Sequence, residues 1–181
     1  MSDFTVHSPE TAPDGSRAAL TELRERIGFV PNLAGMIGGA PAAIASFNAQ
    51  QAALRETALT GAEREVVGIT VSLANSCPYS MAAHSTFASR FGLPPDVVEA
   101  LRGDKEIADP RLHALREFTR SLLRERGHVD ASSLEAMRRA GFGPDQILEV
   151  VTQASYTTMA NWVANVADTP VDPPFQPMVW P

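Results

Sequence analysis

A carboxylate, a thiol, a hydroxyl and an imidazole lie close together near the middle of the chain, at Glu65, Cys77, Ser80 and His84. The last three are spaced i, i+3 and i+7, so they share one face of a helix with 3.6 residues per turn. Glu65 belongs to the preceding helix. If the two helices form an antiparallel hairpin that turns at Ser76, the heights of Glu65 and His84 differ by about one turn. The spacing therefore predicts that four reactive groups can converge on one groove.

Each group suits a definite chemical role. Cys77 begins a helix, where the dipole and exposed N–H groups favour the thiolate, the form that attacks electrophiles and peroxides. His84 can shuttle protons near neutral pH. Glu65 is costly to bury without a partner, so pairing with His84 would satisfy it and orient the ring. Spacing alone also allows an inert buried cysteine, a packing or surface histidine, and a solvated Glu65 paired with an arginine.

The helix that carries Glu65 has a recognisable start. Thr60 and Glu63 form the pattern of a capping box, which opens a helix running to about Asn75. The segment from Val66 to Ala74 is apolar on most sides and rich in β-branched residues, which leaves a strand as the alternative. Its length and the cap favour a buried helix.

Hydrophobic periodicity and capping signals predict an all-α fold with about seven to eight helices. They run over residues 17–27, 42–58, 61–75, 78–91, 93–102, 111–126, 131–140 and 144–167. No hairpin of strands or βαβ pattern is recognisable. The sequence thus predicts an extended N-terminal arm (1–16), a single all-α domain (17–167) and a Pro-rich C-terminal tail (168–181).

The tail has five prolines in the thirteen residues after Asp168, so we do not expect a helix there. It also carries Phe175, Met178, Val179 and Trp180, which is too apolar for a simple solvated end. Two interpretations remain open. The tail is disordered, or it docks on its own or a neighbouring subunit.

Composition excludes several classes of protein. The chain has 181 residues and one cysteine, which rules out a disulfide scaffold and a Cys-rich zinc site. A net charge of −6 argues against a nucleic-acid surface. The sequence has neither an apolar stretch near the roughly 18 residues of a membrane span nor a secretory signal, so we expect a soluble cytoplasmic protein. His7, His113 and His128 lie in no ligand spacing, and neither a metal nor a cofactor is predicted.

Glu65 together with Cys77-Pro-Tyr-Ser-Met-Ala-Ala-His84 resembles the Glu-x11-Cys-x-x-Cys-x-x-x-His signature of AhpD-like alkylhydroperoxidases, in the carboxymuconolactone decarboxylase superfamily. Further segments over nearly the full chain resemble its peroxidase-related branch: 28–33, 63–67, 109–112, 141–151, 161 and 167–170. The resemblance implies an AhpD-like fold built around helical hairpins and a homo-oligomer. It also implies a Glu and a His that relay protons, and two cysteines that form a redox disulfide.

This chain departs from that pattern at the second cysteine, which is Ser80. A serine forms neither a disulfide nor a sulfenic acid, so an intramolecular dithiol cycle is impossible and an external thiol must act as resolver. Tyr79 and Asn161 are candidate substrate-binding residues. Relatives often have Asn-His in the last helix, where this chain has Ala164-Asn165.

A polar line at i+4 spacing remains in the last helix, and it faces either the pocket or a solvated or interface surface. Its members are Gln153, Thr157, Asn161 and Asn165.

Three functions fit the sequence. The first is a thiol-dependent peroxidase that uses Cys77, with Glu65 and His84 relaying protons and an external thiol as reductant. The second is a non-redox decarboxylase or isomerase of a small carbonyl or lactone substrate, with Ser80 as a hydrogen-bond donor. The third is a non-catalytic oligomeric scaffold, in which Glu65 would pair with an arginine rather than with His84.

Overall fold

Helices make up the regular secondary structure of the computed structural model, which describes residues 3–180. Nine α-helices and one 3-10 helix lie within that range. The helices are α1 (Asp14–Ile27), α2 (Asn32–Ile37), α3 (Pro41–Leu54), α4 (Gly61–Ala74), α5 (Pro78–Arg90), α6 (Pro95–Arg102), α7 (Pro110–Arg124), α8 (Ala131–Arg139), α9 (Pro144–Val166) and the 3-10 helix (Pro173–Met178). The all-α prediction is confirmed.

The central helix is α4, which packs against α5, α7 and α9. Thr60 and Glu63 form the predicted capping box, with the Glu63 amide donating to Thr60 Oγ1 at 3.2 Å and the Thr60 amide donating to Glu63 Oε2 at 2.8 Å. Val66, Val67 and Ile69 are completely buried. Burial on most sides explains how a β-branched segment remains helical, because packing outweighs its weak intrinsic propensity.

The buried apolar side chains form two cores, and the α4–α5 hairpin contributes to both. The first gathers side chains of α4, α6, α7, α8 and the start of α9, with Met81 and Phe118 fully enclosed. The second gathers side chains of α1, α2, α3, α5 and the end of α9, and it includes Cys77 and Phe175. The hairpin is therefore packed into both cores, which fixes the residues that it carries.

The number of helices exceeds the seven to eight that were predicted. The segment over residues 32–37 is a helix of its own, started by Pro31 in an extended conformation. The first helix begins at Asp14, three residues before the predicted start at residue 17. Asp14 favours this earlier start because an acidic residue suits the first turn of a helix.

The tail is also helical in part, contrary to the prediction. Its 3-10 helix spans Pro173–Met178 and contains Pro177. Prolines exclude a long α-helix, but a short 3-10 turn needs few backbone donors and tolerates them. Phe175 is only 3% exposed and packs edge-on against Tyr79 and Phe87, so the described part of the tail docks on its own chain.

The N-terminal arm also docks. The His7 amide donates to the Gly35 carbonyl at 3.1 Å. A Cβ on Gly35 would lie 2.6 Å from the His7 carbonyl oxygen, so this close approach requires glycine. In the described part of the chain, no helix is both long enough and apolar enough to cross a membrane.

Candidate functional site

The α4–α5 hairpin brings Glu65 and His84 into direct contact. His84 Nδ1 lies 2.7 Å from Glu65 Oε2, a hydrogen-bond distance, and the two side chains are 13% and 10% exposed. The turn between the helices includes Ser76, whose φ of 47° allows the tight reversal. The pair therefore lies where the hairpin argument predicted, largely shielded but reachable from solvent.

Gly68 makes room for this pair. It lies within α4, one turn after Glu65, and a Cβ at this position would lie 2.5 Å from His84 Nδ1. Glycine within a helix costs roughly 0.5–1 kcal/mol relative to alanine. The close approach of the imidazole explains why a glycine occupies this position.

Cys77 is the N-cap residue of α5, as its position before Pro78 predicted. Its amide donates to the Ser72 carbonyl at 3.0 Å, which ties the turn to the end of α4. The side chain is completely buried in the second apolar core. The thiol thus lies at a helix N-terminus but beneath other side chains.

Ser80 lies between Cys77 and His84, about one helical turn from each, and it is 2% exposed. The helical rise places Cys77 and His84 roughly 10 Å apart along α5. Among these four groups, Glu65 and His84 are joined by a hydrogen bond, while Cys77 and Ser80 follow along the same hairpin.

The Tyr79 hydroxyl is engaged by the tail. It donates to Asp172 Oδ2 at 2.6 Å and accepts from the Leu33 amide at 3.4 Å. Burial, reinforced by the Asp172 carboxylate, raises the pKa of Tyr79 above its usual range. Asp172 also accepts from the Asn32 amide, so this network joins α2, α5 and the tail.

The polar line of α9 mostly faces inwards. Asn161 is fully buried, donates to Ser72 Oγ at 3.4 Å and accepts from Asn75 Nδ2 at 3.0 Å. Gln153 and Thr157 are buried and bonded to each other at 3.1 Å. The amide of Asn161 is thus used to join α9 to α4.

Asn165, at the end of this line, is exposed. Its side chain donates to the Asn75 carbonyl at 2.9 Å.

Sequence reasoning missed a group of residues around Tyr156. The Tyr156 hydroxyl accepts from Gln51 Nε2 at 3.2 Å, and its ring stacks on Phe47 with centroids 4.6 Å apart. Burial, with a contribution from the Glu65 carboxylate, raises the pKa of Tyr156. The only sequence signal was a polar Gln51 in the Ala-rich α3, which is too weak to single it out.

The arginine next to Glu65 in sequence does not pair with it. The guanidinium of Arg64 donates to the Leu54 carbonyl. Glu65 pairs with His84 instead, so the pairing expected for a non-catalytic scaffold is not the one present.

Two surface clefts lie away from the hairpin. One, of about 450 Å³, lies between α7 and α8, and the other, of about 600 Å³, lies between α7 and α9. Glu65, Cys77 and His84 line neither of them. Within residues 3–180, no group of three or more His, Cys, Asp or Glu side chains is arranged to hold a metal ion.

The segment that contains the α4–α5 hairpin is similar to a known protein family. Residues 39–121 match the model of the carboxymuconolactone decarboxylase family. No curated protein matches the chain at a significant level.

Solved structures with a similar fold cover nearly the whole chain. An AhpD-core, peroxidase-related protein from Ralstonia eutropha JMP134 is 24% identical with a TM-score of 0.84, covering 98% of this chain and 95% of its own. A peroxidase-related protein from Silicibacter sp. TM1040 is 22% identical with a TM-score of 0.81, covering 96% and 92%. A cysteine-to-alanine variant of the debrominase Bmp8, in complex with 2,3,4-tribromopyrrole, is 15% identical with a TM-score of 0.77, covering 98% and 97%. The fold is thus AhpD-like.

Proposed function

We propose that the chain is a member of the carboxymuconolactone decarboxylase family, whose model matches residues 39–121, and that it is a thiol-dependent peroxidase acting through Cys77. The observation that carries the proposal is the 2.7 Å bond between His84 and Glu65 on the hairpin whose turn leads into Cys77. A carboxylate–imidazole pair is a proton-transfer unit, and a thiol at a helix N-terminus is the nucleophile that such a unit can serve.

The redox cycle balances with an external thiol. The Cys77 thiolate attacks one peroxide oxygen, so that an S–O bond forms, the O–O bond breaks and the leaving alkoxide takes a proton to become an alcohol. Cys77 is oxidised to a sulfenic acid. One external thiol condenses with it to a mixed disulfide and releases water. A second external thiol then frees the Cys77 thiol and leaves as a disulfide.

Glu65 positions His84 for the proton steps. When Nδ1 carries the ring proton it donates to Glu65, and Nε2 is then free to accept a proton or, once protonated, to donate it. Ser80 lies between His84 and Cys77, and a hydroxyl can accept and donate at the same time. The Ser80 hydroxyl therefore serves as one step of a relay along the roughly 10 Å of α5 between His84 and Cys77, and the peroxide oxygens or water molecules supply the other steps.

Access to the thiol requires local movement. Cys77 is completely buried in the core that also contains Tyr79 and Phe175. A peroxide reaches it only when side chains of that core shift. Oxidation of Cys77 should accordingly be slower than that of an exposed thiol, and mild denaturant should accelerate it.

The same burial supports a second candidate function. The side chains of Glu65 and His84 keep 10% and 13% of their surface exposed whereas the thiol is completely buried, which favours proton transfer on a small carbonyl or lactone substrate without redox chemistry. In that case His84 moves the proton and Ser80 donates a hydrogen bond to the substrate oxygen. Activity would then survive Cys77→Ala but not His84→Gln.

Intact mass spectrometry of Cys77 after peroxide treatment separates the two functions. We expect addition of one oxygen atom to the protein, its reversal by a small thiol, and thiol-dependent peroxide consumption that Cys77→Ser abolishes. Ser80→Ala is the matched variant, because it should slow turnover while leaving Cys77 oxidisable. A Cys77 that is never oxidised, or that is oxidised without catalytic turnover, would contradict the proposal.

We further propose that the protein forms a homo-oligomer. Leu148, Trp162 and Val166 on α9 are 68%, 62% and 70% exposed, which is unusual for large apolar side chains of one helix. Burial in a subunit interface would account for them. Light scattering after gel filtration tests this, and a monomer at all concentrations would contradict it.

A further inference from the structure

Three arginines gather at the C-terminal end of α3, near Tyr156. Arg26 Nη2 and Arg55 Nη2 both donate to Gln51 Oε1, at 2.9 Å and 3.1 Å. Arg64 donates to the Leu54 carbonyl at the C-terminus of α3. A helix C-terminus favours a cation, so the fold explains the role of Arg64. The roles of Arg26 and Arg55 are not explained in this way.

The charges of Arg26 and Arg55 are not neutralised by the protein. Neither forms an ion pair within residues 3–180, although the chain carries a net charge of −6 and other arginines are paired with Asp or Glu. Two guanidinium groups that share one neutral oxygen repel each other. Both are exposed and keep further N–H donors, which in planar guanidinium groups match the geometry of a carboxylate.

Gln51 connects these two arginines to Tyr156. Its oxygen accepts from both of them, and its Nε2 donates to the Tyr156 hydroxyl. Arg64, the residue before Glu65, donates to the Leu54 carbonyl, so α4 contacts this end of α3 one residue from Glu65. The Tyr156 ring, stacked on Phe47, adds an apolar wall beside the polar groups. Positive charge, a hydrogen-bonding amide and an aromatic surface thus gather where α3 meets the turn of α4 that carries Glu65.

We propose that Arg26 and Arg55 bind the carboxylate of a small organic acid whose other end reaches the Glu65–His84 pair. Binding of the carboxylate does not depend on the proposed function. The chemistry at the other end of the acid does rest on it. The organic acid is either the substrate or the external thiol, and the carboxylate is common to both.

Calorimetric titration with glutarate tests the binding site by itself. Glutaramide is the neutral isostere. We expect glutarate to bind to wild type and to Cys77→Ser, and its affinity to fall about tenfold or more in Arg26→Gln and in Arg55→Gln. Arg139→Gln is the matched control, since Arg139 is an exposed arginine on α8 without an ion pair, and glutarate should bind it as it binds wild type. Absence of glutarate binding, equal binding of glutaramide, or an equal loss in Arg139→Gln would overturn the proposal.

Kinetic measurements then identify which molecule carries the carboxylate. If it is the reductant, Arg26→Gln slows turnover with mercaptoacetate about tenfold but leaves turnover with mercaptoethanol unchanged. If it is the oxidant, the selective loss occurs with a fatty-acid hydroperoxide and not with cumene hydroperoxide. Selective glutarate binding without any peroxide consumption would contradict the thiol peroxidase and leave the carboxylate site standing.

Discussion

Glu63 and Glu65 are buried carboxylates two residues apart on α4, yet their surroundings differ. Glu63 is 5% exposed and accepts from the Thr60 amide, the Thr60 hydroxyl and Arg111 Nε, the last at 2.7 Å. Glu65 is 8% exposed, and its ion-pair partner is His84. One carboxylate is surrounded by a guanidinium, a backbone amide and a hydroxyl, whereas the other faces an imidazole, whose two ring nitrogens can each donate or accept.

The difference separates a structural carboxylate from one suited to proton transfer. Arg111 forms an ion pair with Glu63, stacks over the Phe142 ring at 3.8 Å and donates to the Ala140 carbonyl, so it joins α4 to α7 and α8. The Glu65–His84 pair differs, because it joins a carboxylate to an imidazole, the side chain that most often moves protons in enzymes. Burial of a carboxylate therefore does not by itself indicate a functional site. The side chain with which the carboxylate pairs is the better indicator.

Replacing His84 tests the functional side of the comparison and should have the largest effect. His84→Gln and Glu65→Gln should each lower kcat/KM by about 10²–10⁴, because each removes part of the proton-transfer unit. Peroxide consumption in the presence of a small thiol is the measurement. Glu63→Gln is the control and should keep activity within a few fold at temperatures where it is folded. A Glu63 variant as inactive as the Glu65 variant would contradict the division of roles.

Replacing Glu63 tests the structural side. Glu63→Ala should lower the free energy of unfolding by about 3 kcal/mol, because it leaves Arg111 without its ion-pair partner and removes half of the capping box. Urea denaturation followed by circular dichroism measures this. Glu65→Gln retains a side chain that can hydrogen-bond to His84 and should cost about 1 kcal/mol or less. Equal losses in the two variants would show that both carboxylates act mainly in stability.

Gly68→Ala tests how closely His84 must approach α4. Alanine would ordinarily stabilise a helix interior by roughly 0.5–1 kcal/mol. Here its Cβ would lie 2.5 Å from His84 Nδ1, so the ring must move away from Glu65. We expect about a tenfold loss of activity with little change in the free energy of unfolding. An unchanged rate would mean that the 2.7 Å bond is not needed for turnover.

The features of this site that depend on residues close in sequence could be predicted. The Thr60–Glu63 cap, the helix start at Pro78 and the pairing of Glu65 with His84 depend on residues near in sequence and on helical geometry. The heights of side chains in a hairpin follow from a fixed rise per residue. These features were predicted and are present in the structure.

The features that were missed depend on contacts between distant segments. Asp172 meets Tyr79 across 93 residues, and Gln51 meets Tyr156 across 105. Neither pairing has a local periodicity that would reveal it. The full burial of Cys77 has the same origin, since the core that covers it is assembled from α1, α2, α3, α5, α9 and the tail.

The smallest expected effect is a shift in the pKa of Tyr156. It compares how strongly the charges of Glu63 and Glu65 act on that phenol. Tyr79 and Tyr156 are the two tyrosines of the chain, and burial is the main cause that raises the pKa of each. The folded protein then holds both protons more tightly than the unfolded chain. This stabilisation is fully present below about pH 10 and is lost as the pH rises further.

Tyrosinate absorbance of Tyr79→Phe isolates the titration of Tyr156. The Glu65 carboxylate contributes to the raised pKa of Tyr156, whereas Glu63 does not feature among its causes. In this background Glu65→Gln should therefore move the pKa of Tyr156 downwards, towards its ordinary value, and Glu63→Gln should leave it in place. Equal shifts would mean that the change comes from loosened packing around the phenol. A shift confined to Glu65→Gln would place its charge beside Tyr156 and the two arginines that Gln51 holds there.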